Sequence, residues 1–254
     1  MKYTDLIFDL YGTLVDIHTE ENDLVWEKTA IFFGFYGAHY SGPELQLAFR
    51  EELAAREAKA GQSYECFPDI PFETVMDALF LRKGIDPAPL SLGVRAGQLF
   101  RICSIEYICL YPHVPEVLAQ LRRNGCRLWL LSNAQRIFTA FELQYLQLDQ
   151  YFDGIYISSD FHCRKPDVRF FRALLEEREL NPESCLMIGN DLHTDIGGAK
   201  AAGLDTLYMH TNLTPPDQRT ADPALHPDFA ESGTGHYEYE GSDWQDLCRI
   251  LASM

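Results

Sequence analysis

Short apolar runs and helical patterns alternate along most of this chain. The runs "LIFD" (residues 6–9), "CRLWLLS", "FDGIYIS", "SCLMIGN" and "LDTLYM" read as buried strands. Between them, "VPEVLAQLRRNG" and "DVRFFRALLEEREL" carry helical periodicity, and Gly125 ends the first. Strand–helix repetition of this kind predicts an α/β fold on a doubly wound parallel sheet.

Residues 16 to about 110 have a different texture. "GPELQLAFREELAAREAKAG", "PFETVMDALFLRKG" and "LSLGVRAGQLFRICSIEYICL" are helical in period, and no strand is predicted among them. The expected organisation is therefore a core of residues 1–15 and 111–254, with an all-α block, 16–110, inserted after the first strand. The stretch "NLTPPDQRTADPALHPDFAESGTG" reads as loop, followed by a short strand ("HYEYE") and a helix ("DWQDLCRILAS"). No repeat or low-complexity segment interrupts this pattern.

Composition narrows the function classes. The chain has 254 residues, 46% of them apolar and 23% charged, enough for a sizeable buried core. Its 21 Lys and Arg against 38 Asp and Glu give a formal charge of −17, which disfavours nucleic-acid and membrane-surface partners. A small anionic substrate remains compatible, because a pocket can be locally positive. The seven Cys include no C-x-x-C pair, so neither a disulfide framework nor a zinc knuckle is signalled. Cys126 and Cys185 sit in or beside apolar runs and read as core fillers. The N-terminus lacks the basic-then-apolar pattern of a signal peptide, and "TAIFFGFYGAHYSGP" falls short of the ~20 residues a membrane span needs. A cytoplasmic protein is expected.

In a parallel sheet, ligands bind beyond the carboxyl ends of the strands. Asp9 stands there after the first strand, and Ser132-Asn133 after "RLWLL". Lys165-Pro166 follows "GIYIS", and Asn190-Asp191 with Asp195 follow "CLMIG". Each residue also has a bland reading: Asp9 as a strand-end cap, Lys165 as a surface cation, Asp195 as the acid at a helix N-terminus. Four such points in order on one sheet argue together for chemistry. His162, Cys163 and His193 match no standard metal-ligand spacing, and "GFYGA" fails the dinucleotide fingerprint.

Through "DLYGT", "LLSN", "RKP" and "GNDLHTD…GAKAAG" the chain resembles the haloacid dehalogenase superfamily, which carries a helical cap where residues 16–110 lie. The resemblance implies a Rossmann-like core with Asp9 as nucleophile, and Ser132 with Asn133 holding the transferring group. Lys165 would neutralise charge. Asp191 and Asp195 would hold Mg²⁺ together with Asp9 and the backbone carbonyl of Tyr11, and Thr13 closes the first motif among the catalytic residues. Gly12 is small enough for the chain to turn beside the substrate. Physical chemistry concurs, since a carboxylate attacking a phosphate dianion needs a metal ion and a Lys to offset repulsion.

Tyr11 divides the possibilities. Phosphatases of the superfamily usually place an Asp two residues after the nucleophile, to protonate the leaving group, and a Tyr is poorly matched to that task at neutral pH. The dehalogenases carry Tyr there and receive the halide on an Arg from an early cap helix. Arg50, with Gln46, Leu47, Leu53 and Ala54 around it on a helix, fits that role, and equally fits an Arg whose stem covers apolar neighbours. The two acids of "GNDLHTD" point the other way, because three nearby carboxylates call for a cation. The sequence therefore favours a Mg²⁺-dependent phosphatase that works through an aspartyl-phosphate on a small phosphorylated metabolite. A metal-independent 2-haloacid dehalogenase and a non-catalytic binding protein are the alternatives.

Overall fold

A computed structural model describes residues 2–60, 67–215 and 236–253. The chain enters through β1 (Asp5–Phe8), turns at residues 9–14, and leaves the sheet in β2 (Val15–Thr19). Four helices follow: α1 (Asp23–Phe35), α2 (Gly42–Ala60), α3 (Phe72–Arg82) and α4 (Leu92–Ser104). The chain returns through β3 (Ile105–Leu110) to α5 (Val114–Arg123), β4 (Arg127–Ser132), α6 (Arg136–Tyr145) and β5 (Gly154–Ile157). Then come α7 (Ser158–Phe161), α8 (Val168–Glu177) and β6 (Cys185–Gly189). A wide helical turn, Leu192–Gly197, runs into α9 (Gly198–Ala201), before β7 (Asp205–His210), β8 (His236–Glu240) and α10 (Trp244–Ser253).

Six strands form one parallel sheet in the order β5-β4-β1-β6-β7-β8. Every residue of β1 is buried, as a central strand covered on both faces requires. Its side chains alternate between two cores. Leu6 and Phe8 join α5 and α10 residues such as Leu118, Trp244 and Leu247, while Ile7 joins Phe170, Phe171 and Leu174 of α8. Cys126 and Cys185 are buried fillers, as the sequence suggests. Strand order reverses at β1, so the crevice that favours ligand binding opens where β1 ends, between β4 and β6.

The helices α1–α4 enclose a separate apolar cluster that includes Trp26, Phe33, Phe49, Leu79, Phe80 and Phe100. The block is not entirely helical. Strands β2 and β3 pair antiparallel, Val15 with Leu110 and Ile17 with Ile108, in a two-stranded ribbon at its root. This corrects the expectation of helix through residue 110. Helical period runs on from α4 into "SIEYICL", but that segment meets β2 where the chain leaves and re-enters the sheet, and pairing wins over local pattern. Residues 216–235 of the loop expected over 212–235, and Cys66, lie outside the described residues. Among the described residues, no helix is long and apolar enough to cross a membrane.

Candidate active site

Register sets the site. Phe8 pairs with Leu130 on one side and Ile188 on the other, so the chain beyond β1 emerges between the ends of β4 and β6. Asp9 follows at once, 7% exposed, its backbone N–H still donating to Ile188 O at 2.9 Å. The next residues fold into a tight turn, with the N–H groups of Leu14 and Val15 both directed at Leu10 O. Gly12 sits there at φ +83°, and a Cβ at that position would lie 2.2 Å from Asn190 Nδ2. Both the left-handed backbone and the close approach demand glycine.

Lys165 closes the site from the other side. Its Nζ donates to Asp9 Oδ1 at 2.7 Å, to Asp195 Oδ1 at 2.6 Å and to Leu131 O at 2.8 Å, with its side chain 1% exposed. Asn133 positions it, accepting from Lys165 N at 2.7 Å and donating to Lys165 O at 3.0 Å. Burial opposes the ammonium, but the Asp195 and Asp9 charges outweigh it and hold its pKa above the ordinary lysine value. Burial pushes the Asp195 carboxyl up to about 7, against the pull of Lys165 and with the Asp9 and Asp191 charges adding to the rise. Two carboxylates thus share one cation. Ser132 Oγ, fully buried beside them at the end of β4, has no hydrogen-bond partner. An orphaned hydroxyl at a strand end suits a ligand oxygen.

The two acids of the fourth motif are held in different ways. Asp191 caps the helical turn after it, accepting from the N–H groups of His193 and Thr194 at 2.8 Å each. Asp195, expected as a metal ligand with a helix-end acid as its bland alternative, is the partner of Lys165. Asn190 faces the turn after β1, its Oδ1 accepting from Thr13 Oγ1 at 3.3 Å, and Thr13 Oγ1 lies 3.4 Å from Asp9 Oδ2. Among the described residues, no three His, Cys, Asp or Glu side chains already form a metal cage. A Mg²⁺ ion does not need one, since it keeps several waters and takes one or two carboxylates with substrate oxygens. The donor set fits such an ion through its chemistry: hard oxygens throughout, and more negative charge than Lys165 balances.

Tyr11 points away from this cluster. Its hydroxyl donates to Glu142 Oε2 at 2.5 Å and lies 3.0 Å from Thr139 Oγ1, both on α6. Burial, then the Glu142 charge, raises its pKa well above the ordinary tyrosine value. Arg101 of α4 grips the same carboxylate, with Nε 2.6 Å from Oε1 and Nη2 3.2 Å from Oε2. Sequence reasoning missed Arg101, Thr139 and Glu142. The available signal was slight: Glu142 is the sole carboxylate in "RIFTAFELQY", three residues after Thr139.

Arg50 is not brought into the cluster. It is exposed on α2, and its Nη2 lies 3.1 Å from the Gln46 amide oxygen in the orientation that also satisfies Trp26 Nε1. Asp9, Thr13, Asn133, Lys165 and Asp195 are joined by direct hydrogen bonds or close polar contacts, with Ser132 and Gly12 beside them.

The family model for haloacid dehalogenase-like hydrolases matches residues 6–203. Phosphoserine phosphatase of Thermus thermophilus is 33% identical over 120 residues, 47% of this chain and 46% of that protein. The chain spans about half the length of several curated relatives that it matches. Ribulose-1,5-bisphosphate 5-phosphatase of Halopiger xanaduensis is 26% identical over 223 residues, 87% of this chain and 90% of that protein. Among solved structures, the HAD-hydrolase YfnB from Bacillus subtilis, bound to magnesium, superposes with a TM-score of 0.54 at 20% identity, covering 99% of both chains. That likeness concerns the fold.

Proposed function

The chain belongs to the haloacid dehalogenase-like hydrolases, and we propose that within them it is a Mg²⁺-dependent phosphatase acting on a small phosphorylated metabolite. The observation that carries this reading is the charge balance at Lys165, where Asp9 and Asp195 share one ammonium beside an unpartnered Ser132 hydroxyl. The phosphatase names of the relatives support it.

Asp9 supplies the nucleophilic carboxylate oxygen. It attacks phosphorus, the bond to the leaving oxygen breaks, and water then cleaves the aspartyl-phosphate to release inorganic phosphate. Lys165 holds Asp9 oriented and offsets charge on the phosphoryl oxygens, while Ser132 Oγ and Asn133 receive those oxygens. Asp9, the Tyr11 carbonyl and Asp195 would hold Mg²⁺, with the neutral Asn190 oxygen facing the same loop; Asp191, whose Oδ1 caps the helical turn, would contribute only its second oxygen. The bound ion would supply positive charge against the dianionic group.

No carboxylic acid stands at position 11, and the Tyr11 proton is committed to Glu142. The leaving group therefore departs with little help from that position. Residues 16–110 form the cap in this reading, hinged on the β2–β3 ribbon and closing over the site to exclude water.

The test is phosphate release from a small phosphate ester with Mg²⁺ and with EDTA, beside halide release from short 2-haloacids. Phosphate release that EDTA abolishes and Mg²⁺ restores is expected. Full activity in EDTA removes the metal from the reading, and halide release replaces the phosphatase with a dehalogenase.

A further inference from the structure

Glu142 is 8% exposed on a core helix, and a carboxylate so placed needs a compensating charge. The charge comes from the cap. Arg101 of α4 makes two hydrogen bonds to it, its guanidinium set 5.6 Å from the centre of the Tyr11 ring and 5.5 Å from that of Phe138. The helices meet closely here: a Cβ on Gly97 of α4 would lie 2.4 Å from Ile137 Cδ1 of α6. Arg101 stands just before β3, the return strand of the ribbon, so any rotation of the cap about that ribbon moves the guanidinium relative to Glu142. Through Oε2, which Arg101 Nη2 also reaches, Glu142 holds Tyr11, whose backbone lies in the turn directly after Asp9.

We infer that Arg101 and Glu142 are positioning residues: when the cap is closed, Arg101 fixes the Glu142 carboxylate, which fixes Tyr11 and with it the Asp9–Thr13 turn. Opening the cap withdraws the cation, leaves the carboxylate without its partner and releases the turn. Cap position is thereby coupled to nucleophile placement through one two-state contact. Tyr11 serves in this arrangement as a strut that spans from the catalytic turn to α6. The kinetic consequence rests on the phosphatase reading, whereas the structural one does not.

Hydrogen exchange separates the two. The reporters are the amides of Gly12, Thr13, Leu14 and Val15, each bonded within the turn. Arg101→Ala and Tyr11→Phe are each expected to speed their exchange by about tenfold, the scale of one lost charge-assisted hydrogen bond. The double variant should be no faster than either single, because both act through Glu142. Glu142→Gln, which needs no cation, should restore protection to Arg101→Ala. If Arg101→Ala does not fold, Arg101→Lys takes its place, keeping charge but losing the two-pronged grip. Unchanged exchange in the single variants, multiplicative effects in the double, or failure of Glu142→Gln to rescue would each overturn the coupling. With a phosphate ester as substrate, Arg101→Ala should lower kcat about tenfold with KM little changed, since misplacement of the nucleophile acts on the chemical step. A change in KM alone would overturn it as well. Should the wild type hydrolyse no phosphate ester, the exchange results still decide the coupling on their own.

Discussion

Two cation–carboxylate clusters flank the turn after β1, and they are built to opposite standards. Around Lys165, two carboxylates share one ammonium and a buried hydroxyl has no partner. Around Arg101, one guanidinium meets one carboxylate on both oxygens, and the Tyr11 hydroxyl completes the set. The first cluster is short of positive charge and of a hydrogen-bond partner, so it has room for chemistry. The second is saturated and can only hold things in place. Completeness, rather than the mere presence of buried charge, is what separates the two clusters.

The largest expected effect strikes the unsaturated cluster. Asp9→Asn should lower phosphate release by at least about 10⁴-fold while the fold survives, because it removes the nucleophile but not the shape. Rapid-quench detection of an acid-stable phosphoenzyme in this variant would contradict Asp9 as the attacking group. Lys165→Met comes next. It strands Asp9 and Asp195 without their cation, and should cost about 3–5 kcal/mol of stability in urea unfolding at neutral pH. A loss under 1 kcal/mol would show that solvent or a bound ion already neutralises those acids.

Tyr11 tests whether the saturated cluster takes part in proton transfer. General acid catalysis is worth ~10²–10⁴ in rate, so its lack should weigh most on alkyl phosphates, whose leaving alkoxides are strongly basic. Aryl and acyl phosphates should be hydrolysed far faster, and log rate should fall steeply with leaving-group pKa. A shallow plot would mean that another residue protonates the leaving group. The smallest effect is expected at Arg50, which is exposed on α2. Arg50→Ala should change KM by no more than about threefold, in line with the weak energetics of surface charges. A complete loss of turnover there would recast Arg50 as part of the chemistry.

Much of the grouping around Lys165 was legible in the chain. A parallel sheet puts whatever follows each strand at one edge, so finding the strands at 5–8, 127–132 and 185–189 was enough to gather Asp9, Ser132-Asn133 and Asp195. The antiparallel ribbon was not legible, because β3 continues the helical texture of α4 and becomes a strand only beside β2. Nor was the division of labour in "GNDLHTD". Asp191 and Asp195 are both carboxylates a few residues apart, and only the helical turn decided that one caps it while the other reaches Lys165.

The sequence by itself determined the fold class and which residues stand at the strand ends, since both follow from local periodicity and from the geometry common to all parallel sheets. Tertiary structure alone decided where the hydroxyl of Tyr11 points. Arg101, Thr139 and Glu142 lie far from Tyr11 along the chain and belong to no pattern shared with it. They meet it because helix α4 packs on helix α6, and a buried carboxylate there must be paired.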